Sequence, residues 1–180
     1  MKAIVGGNLI DGTGTAVLPD GTVLIDGERI VEVGPTAAVT VPPDAEIVDA
    51  SGMTVMPGLI DCHDHLASES YDILSRWGLD DPASLRYLRT ASILEDTLAS
   101  GYTSVRDGSG LDAGFKMAIE EGVIDGPRLM LSINLISPTG GLSDRVSPSG
   151  HRNSLYADPR MPPGVGNGPA GVRERVREMI

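Results

Sequence analysis

Pro57-Gly58-Leu59-Ile60-Asp61-Cys62-His63-Asp64-His65 is the stretch on which the reading of this chain turns. Within it, Gly58 to His63 predict a β-strand, entered through a Pro-Gly break. Side chains two apart on a strand share a face and stand about 6.6 Å apart at about 3.3 Å per residue. His63 and His65 are thereby expected to converge on one metal ion, because imidazole nitrogens bind zinc at roughly 2.0–2.1 Å. Asp61 is expected on the same face, where it could orient a ligand from behind. Cys62 and Asp64 are expected on the opposite face, with Cys62 packed behind the sheet. A bare His-x-His is a weak signal, and its weight depends on what surrounds it.

Downstream, strands and helices alternate. Asp81 is placed to cap a helix with Pro82 at its first position, where a missing N–H costs nothing. Leu85, Leu88, Ala91, Leu94 and Leu98 recur at spacings of three and four and predict one apolar stripe. Gly101 ends that helix. Strands follow over 103–106 and 128–133, with a helix over 113–121 between them. Val172, Val176 and Ile180 mark a last helix. The order β, α, β, α, β, long loop, α calls for a parallel sheet with helical crossovers. Residues 134–170 are rich in Gly, Pro and Ser, without periodicity. A loop of that length after a strand is either functional or a mistaken assignment.

Upstream, residues 1–56 read as short strands. Lys2 to Val5 leads into a glycine-rich turn region from Gly6 to Gly14. Residues 22–25 and 30–33 flank Asp26-Gly27-Glu28-Arg29, a hairpin signal in which Gly27 supplies positive φ. A further strand covers 46–49. The expected organisation is a small β-sandwich portion over 1–56 followed by an α/β unit over 57–180.

The chain has 180 residues, with 25 Asp plus Glu against 14 Lys plus Arg and a net charge of −11. That balance argues against nucleic-acid and anionic-membrane partners, which are themselves negative. At 41% hydrophobic residues the chain can still pack a core. No apolar run approaches the ~20 residues of a membrane span, and two glycines at 6 and 7 interrupt any signal-peptide pattern. The lone cysteine excludes an internal disulfide and fits a reducing, cytoplasmic setting. No phosphate-binding glycine motif is present.

The nine-residue motif, preceded by strands containing Asp26-Gly27-Glu28-Arg29-Ile30-Val31-Glu32-Val33-Gly34, resembles the amidohydrolase superfamily. Gly101-Tyr102-Thr103-Ser104-Val105-Arg106-Asp107, Gly126-Pro127-Arg128-Leu129 and Ser137-Pro138-Thr139-Gly140-Gly141 extend the likeness. They point toward its imidazolonepropionase-like branch, which includes Xaa-Pro dipeptidases. The resemblance implies an α/β fold: a partial (β/α)8 TIM barrel of about three βα units, preceded by part of a small β-sandwich domain. It implies a metal-dependent hydrolase of amide or peptide-like C–N bonds, with one or two divalent ions, most often zinc, activating a water. The substrates implied are small amides or dipeptides, such as Xaa-Pro, N-acyl amino-acid or cyclic amide compounds.

In that family two first-strand histidines, matched by His63 and His65, hold the metal. A fourth-strand ligand, two later histidines and a late general-base aspartate complete the site. None of these later residues falls within 1–180, so no catalytic base is expected in this chain. The chain is expected to be truncated before the fourth strand and inactive alone. Around the strand ends, Arg106 and Asp107 are expected to face the barrel mouth, where Arg106 either binds a substrate carboxylate or pairs with Asp107. Gly140 and Gly141 would let backbone approach a ligand, although the family's usual histidine after them is here Leu142. His151 lies in the long loop as a substrate-side or solvated residue. The alternative is a non-catalytic, shortened relative acting as a binding or assembly module. Its open sheet edges would be satisfied by another chain, and a homo-oligomer stays open under either reading.

Overall fold

In a computed structural model describing residues 1–67, 82–146, 152–153 and 161–180, the chain separates into two units, Met1–Pro57 and Gly58–Ile180. The first is organised around β1 (Lys2–Leu9). This strand pairs antiparallel with β2 (Leu18–Asp26), which turns back into β3 (Arg29–Pro35) through Gly27 at φ 57°. On its other side β1 runs parallel to β4 (Glu46–Asp49) and then to β5 (Thr54–Val55).

The turn expected to begin at Gly6 does not form there. β1 continues to Leu9, with register shifts on both sides of Gly7 that act as bulges. Glycine makes this feasible. Gly6 takes φ 78°, and a Cβ at Gly21, which pairs with Gly7, would overlap Leu9 Cγ and Cδ1. One face of the sheet packs Ala3 and Leu24 beneath Val39, with Val5 and Val41 beside them. The other carries Ile4, Val23, Ile25 and Val33 along an apolar groove. The unit is thus a single mixed sheet with apolar side chains on both faces.

The second unit has a three-stranded parallel sheet in the order β6-β7-β8. β6 (Leu59–Asp64) is followed by α1 (Ala83–Ala99), β7 (Tyr102–Asp107), α2 (Ala113–Glu120) and β8 (Arg128–Leu131). Leu66, Leu94, Val105, Leu111 and Leu129 form the core between sheet and helices.

Pro82 is the residue before α1 and not its first helical position, since its ψ of 141° is extended. Asp81, its expected cap, lies outside the described residues. The expected α1 stripe is only partly buried: Leu94 is 0% exposed, but Leu88 is 71% exposed. The sheet-facing side is carried instead by Thr90 and Leu94. Thr90 tolerates burial because its hydroxyl donates to Arg86 O at 2.9 Å. Leu88 and Ala91 lie on the flank toward α2, where they share an apolar groove with Phe115 and Ala118.

α2 is capped by Asp112, whose carboxylate accepts from Gly114 N at 2.9 Å. β8 stops at Leu131 rather than at Ile133, because Ile133 adopts φ 65°, an uncommon conformation for a β-branched residue. The stretch 134–170 is less bare than its composition suggests. β9 (Arg145–Val146) and β10 (Arg152–Asn153) pair antiparallel. Ser137 bridges Val165, and α3 (Gly168–Met179) begins inside that range.

Candidate metal centre

The geometry of the motif is set by an irregularity in β6. Asp61 pairs with Val105 and Asp64 with Asp107, so Cys62 and His63 together stand opposite Arg106 alone. This is a β-bulge, which unpairs one residue and re-aims a side chain. Partners in a parallel ladder share a face, and Val105 is buried against the helices beside Leu129. Asp61 and Asp64 are therefore on the helix side of the sheet, where both line a small depression with Asp96 and Thr97 of α1 and Ser100 directly after it.

The expectation that Asp61 shares the histidines' face is thus overturned, because simple alternation does not survive the bulge. Asp61 Oδ1 accepts the His63 backbone N–H at 2.9 Å and shapes the turn rather than the face. The same bulge corrects Cys62, which is exposed and not packed behind the sheet.

The two imidazoles do come together. Their ring centroids are 5.1 Å apart and the rings are nearly perpendicular, at 89°. Both Cε1 atoms lie over Gly108, 3.0 Å (His65) and 3.1 Å (His63) from where a Cβ would stand. Gly108 N donates to Asp64 O at 2.6 Å, drawing the end of β7 against the motif. His65 Nδ1 lies 3.4 Å from Ser109 O. A carbonyl at that nitrogen is the usual way a ligating imidazole is oriented, with Nε2 as the nitrogen presented to an ion. Gly108 and Ser109 are neighbours of the pair that the sequence pattern does not single out. The available signal was a glycine directly after a strand that ends in Arg-Asp.

Arg106 and Asp107 do not both project from the strand end, and they form no ion pair with each other. Arg106 is exposed, and its Nε donates to Cys62 O at 2.6 Å. Asp107 is 0% exposed. Its Oδ1 accepts from Leu66 N at 3.0 Å and its Oδ2 from Leu111 N at 3.3 Å. Burial pushes its carboxyl up to about 6, against the backbone N–H donors that favour its charged form.

Gly140 sits at φ 78°, with its N–H on Asp144 Oδ2 at 3.1 Å. A Cβ on Gly141 would press on Ser137 of the same loop, so the structure gives both glycines work within the loop. His151 lies outside the described residues.

Two imidazoles held in one place fit a divalent transition ion such as zinc as part of its ligand set. No group of three or more His, Cys, Asp or Glu that could hold an ion occurs among the described residues.

A parallel strand–helix sheet with a histidine pair at the carboxyl end of its first strand defines a class, the α/β proteins that assemble their sites at that end of the sheet. Residues 54–180 match the model of the amidohydrolase family, and the chain belongs to that family. The chain is 33% identical over 129 residues to an ochratoxinase from Aspergillus niger, covering 69% of this chain and 27% of that protein. It is 33% identical over 102 residues to an imidazolonepropionase from Methylobacterium nodulans, covering 49% and 25%.

Among solved structures, it is similar to a prolidase complexed with N-methylphosphonate-L-proline. That match has a TM-score of 0.82 at 36% identity and covers 99% of this chain and 43% of the other. A Xaa-Pro dipeptidase with bound methionine matches with a TM-score of 0.78 at 27% identity. The chain therefore spans well under half the length of these relatives. Their coverage is that of a partial barrel with its preceding domain.

Proposed function

We propose that this chain is the metal-binding N-terminal part of an amidohydrolase that cleaves amide or peptide-like C–N bonds. Xaa-Pro dipeptides are the substrate class favoured by the prolidase and Xaa-Pro dipeptidase likenesses, with N-acyl amino acids kept beside them from the family resemblance. The observation that carries the reading is the convergence of the His63 and His65 rings over Gly108 at the carboxyl end of β6 and β7. When bound, a divalent ion such as zinc would supply an activated water and polarise the scissile carbonyl.

The chain's own residues do the preparatory work. His63 and His65 offer nitrogen donors, Ser109 O orients the His65 ring, and Gly108 leaves both rings room. The general base and the remaining ligands belong, in this reading, to parts of the protein beyond these 180 residues. Among the described residues no helix is long and apolar enough to cross a membrane. The single cysteine supports a cytoplasmic setting as part of the same proposal.

The test is metal analysis and turnover of the full-length protein on a panel of Xaa-Pro dipeptides and N-acyl amino acids. His63→Ala is expected to remove both bound metal and hydrolysis. Normal metal content with retained hydrolysis in that variant would refute the assignment.

A further inference from the structure

We propose that Arg106 and Asp107 form a two-ended clamp that positions the His63–His65 pair, neither of them contacting the ion or the substrate. The inference rests on the reading of that pair as metal ligands. Consecutive residues of a strand point to opposite faces, and here the two side chains seize opposite ends of one short segment. Arg106 Nε holds Cys62 O at 2.6 Å, and Asp107 Oδ1 holds Leu66 N at 3.0 Å. His63, Asp64 and His65 lie between the two anchored atoms.

The segment needs such support because it contains the bulge. The ladder register breaks between Asp61 and Asp64, leaving the Cys62 carbonyl outside the regular pairing. A guanidinium donor on the residue directly opposite supplies a charge-assisted bond in place of the lost one.

Asp107 works from the buried face and reaches further. Its second oxygen accepts from Leu111 N at 3.3 Å, which ties down the stretch carrying Gly108 and Ser109. That stretch supplies both Gly108 N to Asp64 O at 2.6 Å and the carbonyl facing His65 Nδ1. One carboxylate thus fixes the segment bearing the histidines and the loop that orients one of them. Through its Nε, Arg106 takes a positioning role at the bulge that is distinct from binding a substrate carboxylate.

The experiment uses the full-length protein and compares wild type with Arg106→Ala, Asp107→Asn and His63→Ala. Zn2+ affinity is read by competition with a chromophoric chelator, and site geometry by the visible spectrum of the Co2+-loaded protein. Partners that orient metal ligands typically affect metal affinity about 10–100-fold. Arg106→Ala and Asp107→Asn are each expected to weaken Zn2+ by at least about tenfold and to alter the Co2+ spectrum while melting stays cooperative. Wild-type affinity and an unchanged spectrum in Arg106→Ala would overturn the clamp. That variant decides alone if Asp107→Asn does not fold.

Wild-type protein that binds no ion, or His63→Ala that binds Zn2+ as tightly as wild type, would instead defeat the metal reading. The clamp is then decided without metal, by the ring Cε1–H NMR shifts of His63 and His65 in Arg106→Ala. Displaced shifts support it, and unmoved shifts overturn it.

Discussion

Replacing Gly108 by alanine adds one methyl group at the point where the two histidine rings meet. The added Cβ would stand 3.0 Å from His65 Cε1, 3.1 Å from His63 Cε1 and 3.3 Å from Asp64 O. Its backbone is outside the positive-φ region, so alanine carries no conformational penalty there. Asp64 O is held by the Gly108 amide at 2.6 Å and cannot retreat without breaking that bond. The rings must therefore give by a few tenths of an ångström. Metal–ligand distances tolerate only about 0.2 Å. An affinity loss of roughly 10–100-fold follows, or about 1.4–2.8 kcal/mol. The assay is Zn2+ competition on the full-length protein, with the exposed Lys116→Ala as a control for handling. Wild-type affinity in Gly108→Ala would show that the rings do not act together on an ion, and the reasoning from their convergence would fall.

Leu94→Ala, which empties a fully buried site, is expected to destabilise the fold by about 2–5 kcal/mol in denaturant titration. Leu88→Ala, on the same predicted stripe, should stay within about 0.5 kcal/mol because the residue is exposed. Asp112→Ala removes the α2 cap to Gly114 N and should cost about 0.5–2 kcal/mol by the same measurement.

The Asp107 carboxyl, raised by burial to about 6 from 3.8, binds its proton more tightly folded than unfolded. Its contribution is therefore complete below about pH 4 and is lost as pH rises through 6, a fall of about 3 kcal/mol at 1.36 kcal/mol per pKa unit. Asp107→Asn should abolish that part of the stability–pH profile, and an unchanged slope would contradict it.

What was legible in the sequence is what local pattern determines. The hairpin at Gly27 follows from a turn residue between β-rich runs. The strand–helix alternation from β6 to β8 follows from periodicities of two and 3.6 with glycines between. What was not legible depends on partners distant in sequence. Glycines at 6 and 7 suggested a turn, yet β2 and β5 hold that segment as strand. Leu88 belongs to the apolar stripe by spacing, but the helix it faces is α2 and not the sheet.

The same holds at the candidate site. His63 and His65 stand out as residues, and the structure brings their rings together. The face of Asp61, the exposure of Cys62 and the inward turn of Asp107 all hang on a register shift that only pairing with β7 creates. Gly108 and Ser109 escaped notice because their roles are steric and through backbone.

The bulge has a practical outcome for anyone who wishes to watch this site. Cys62 is the sole thiol in the 180 residues, and the bulge brings it to the surface beside His63. A thiol-specific fluorophore or spin label added to the unaltered chain has a single address. That address is next to the histidine pair, so these 180 residues carry their own attachment point beside it without an introduced cysteine.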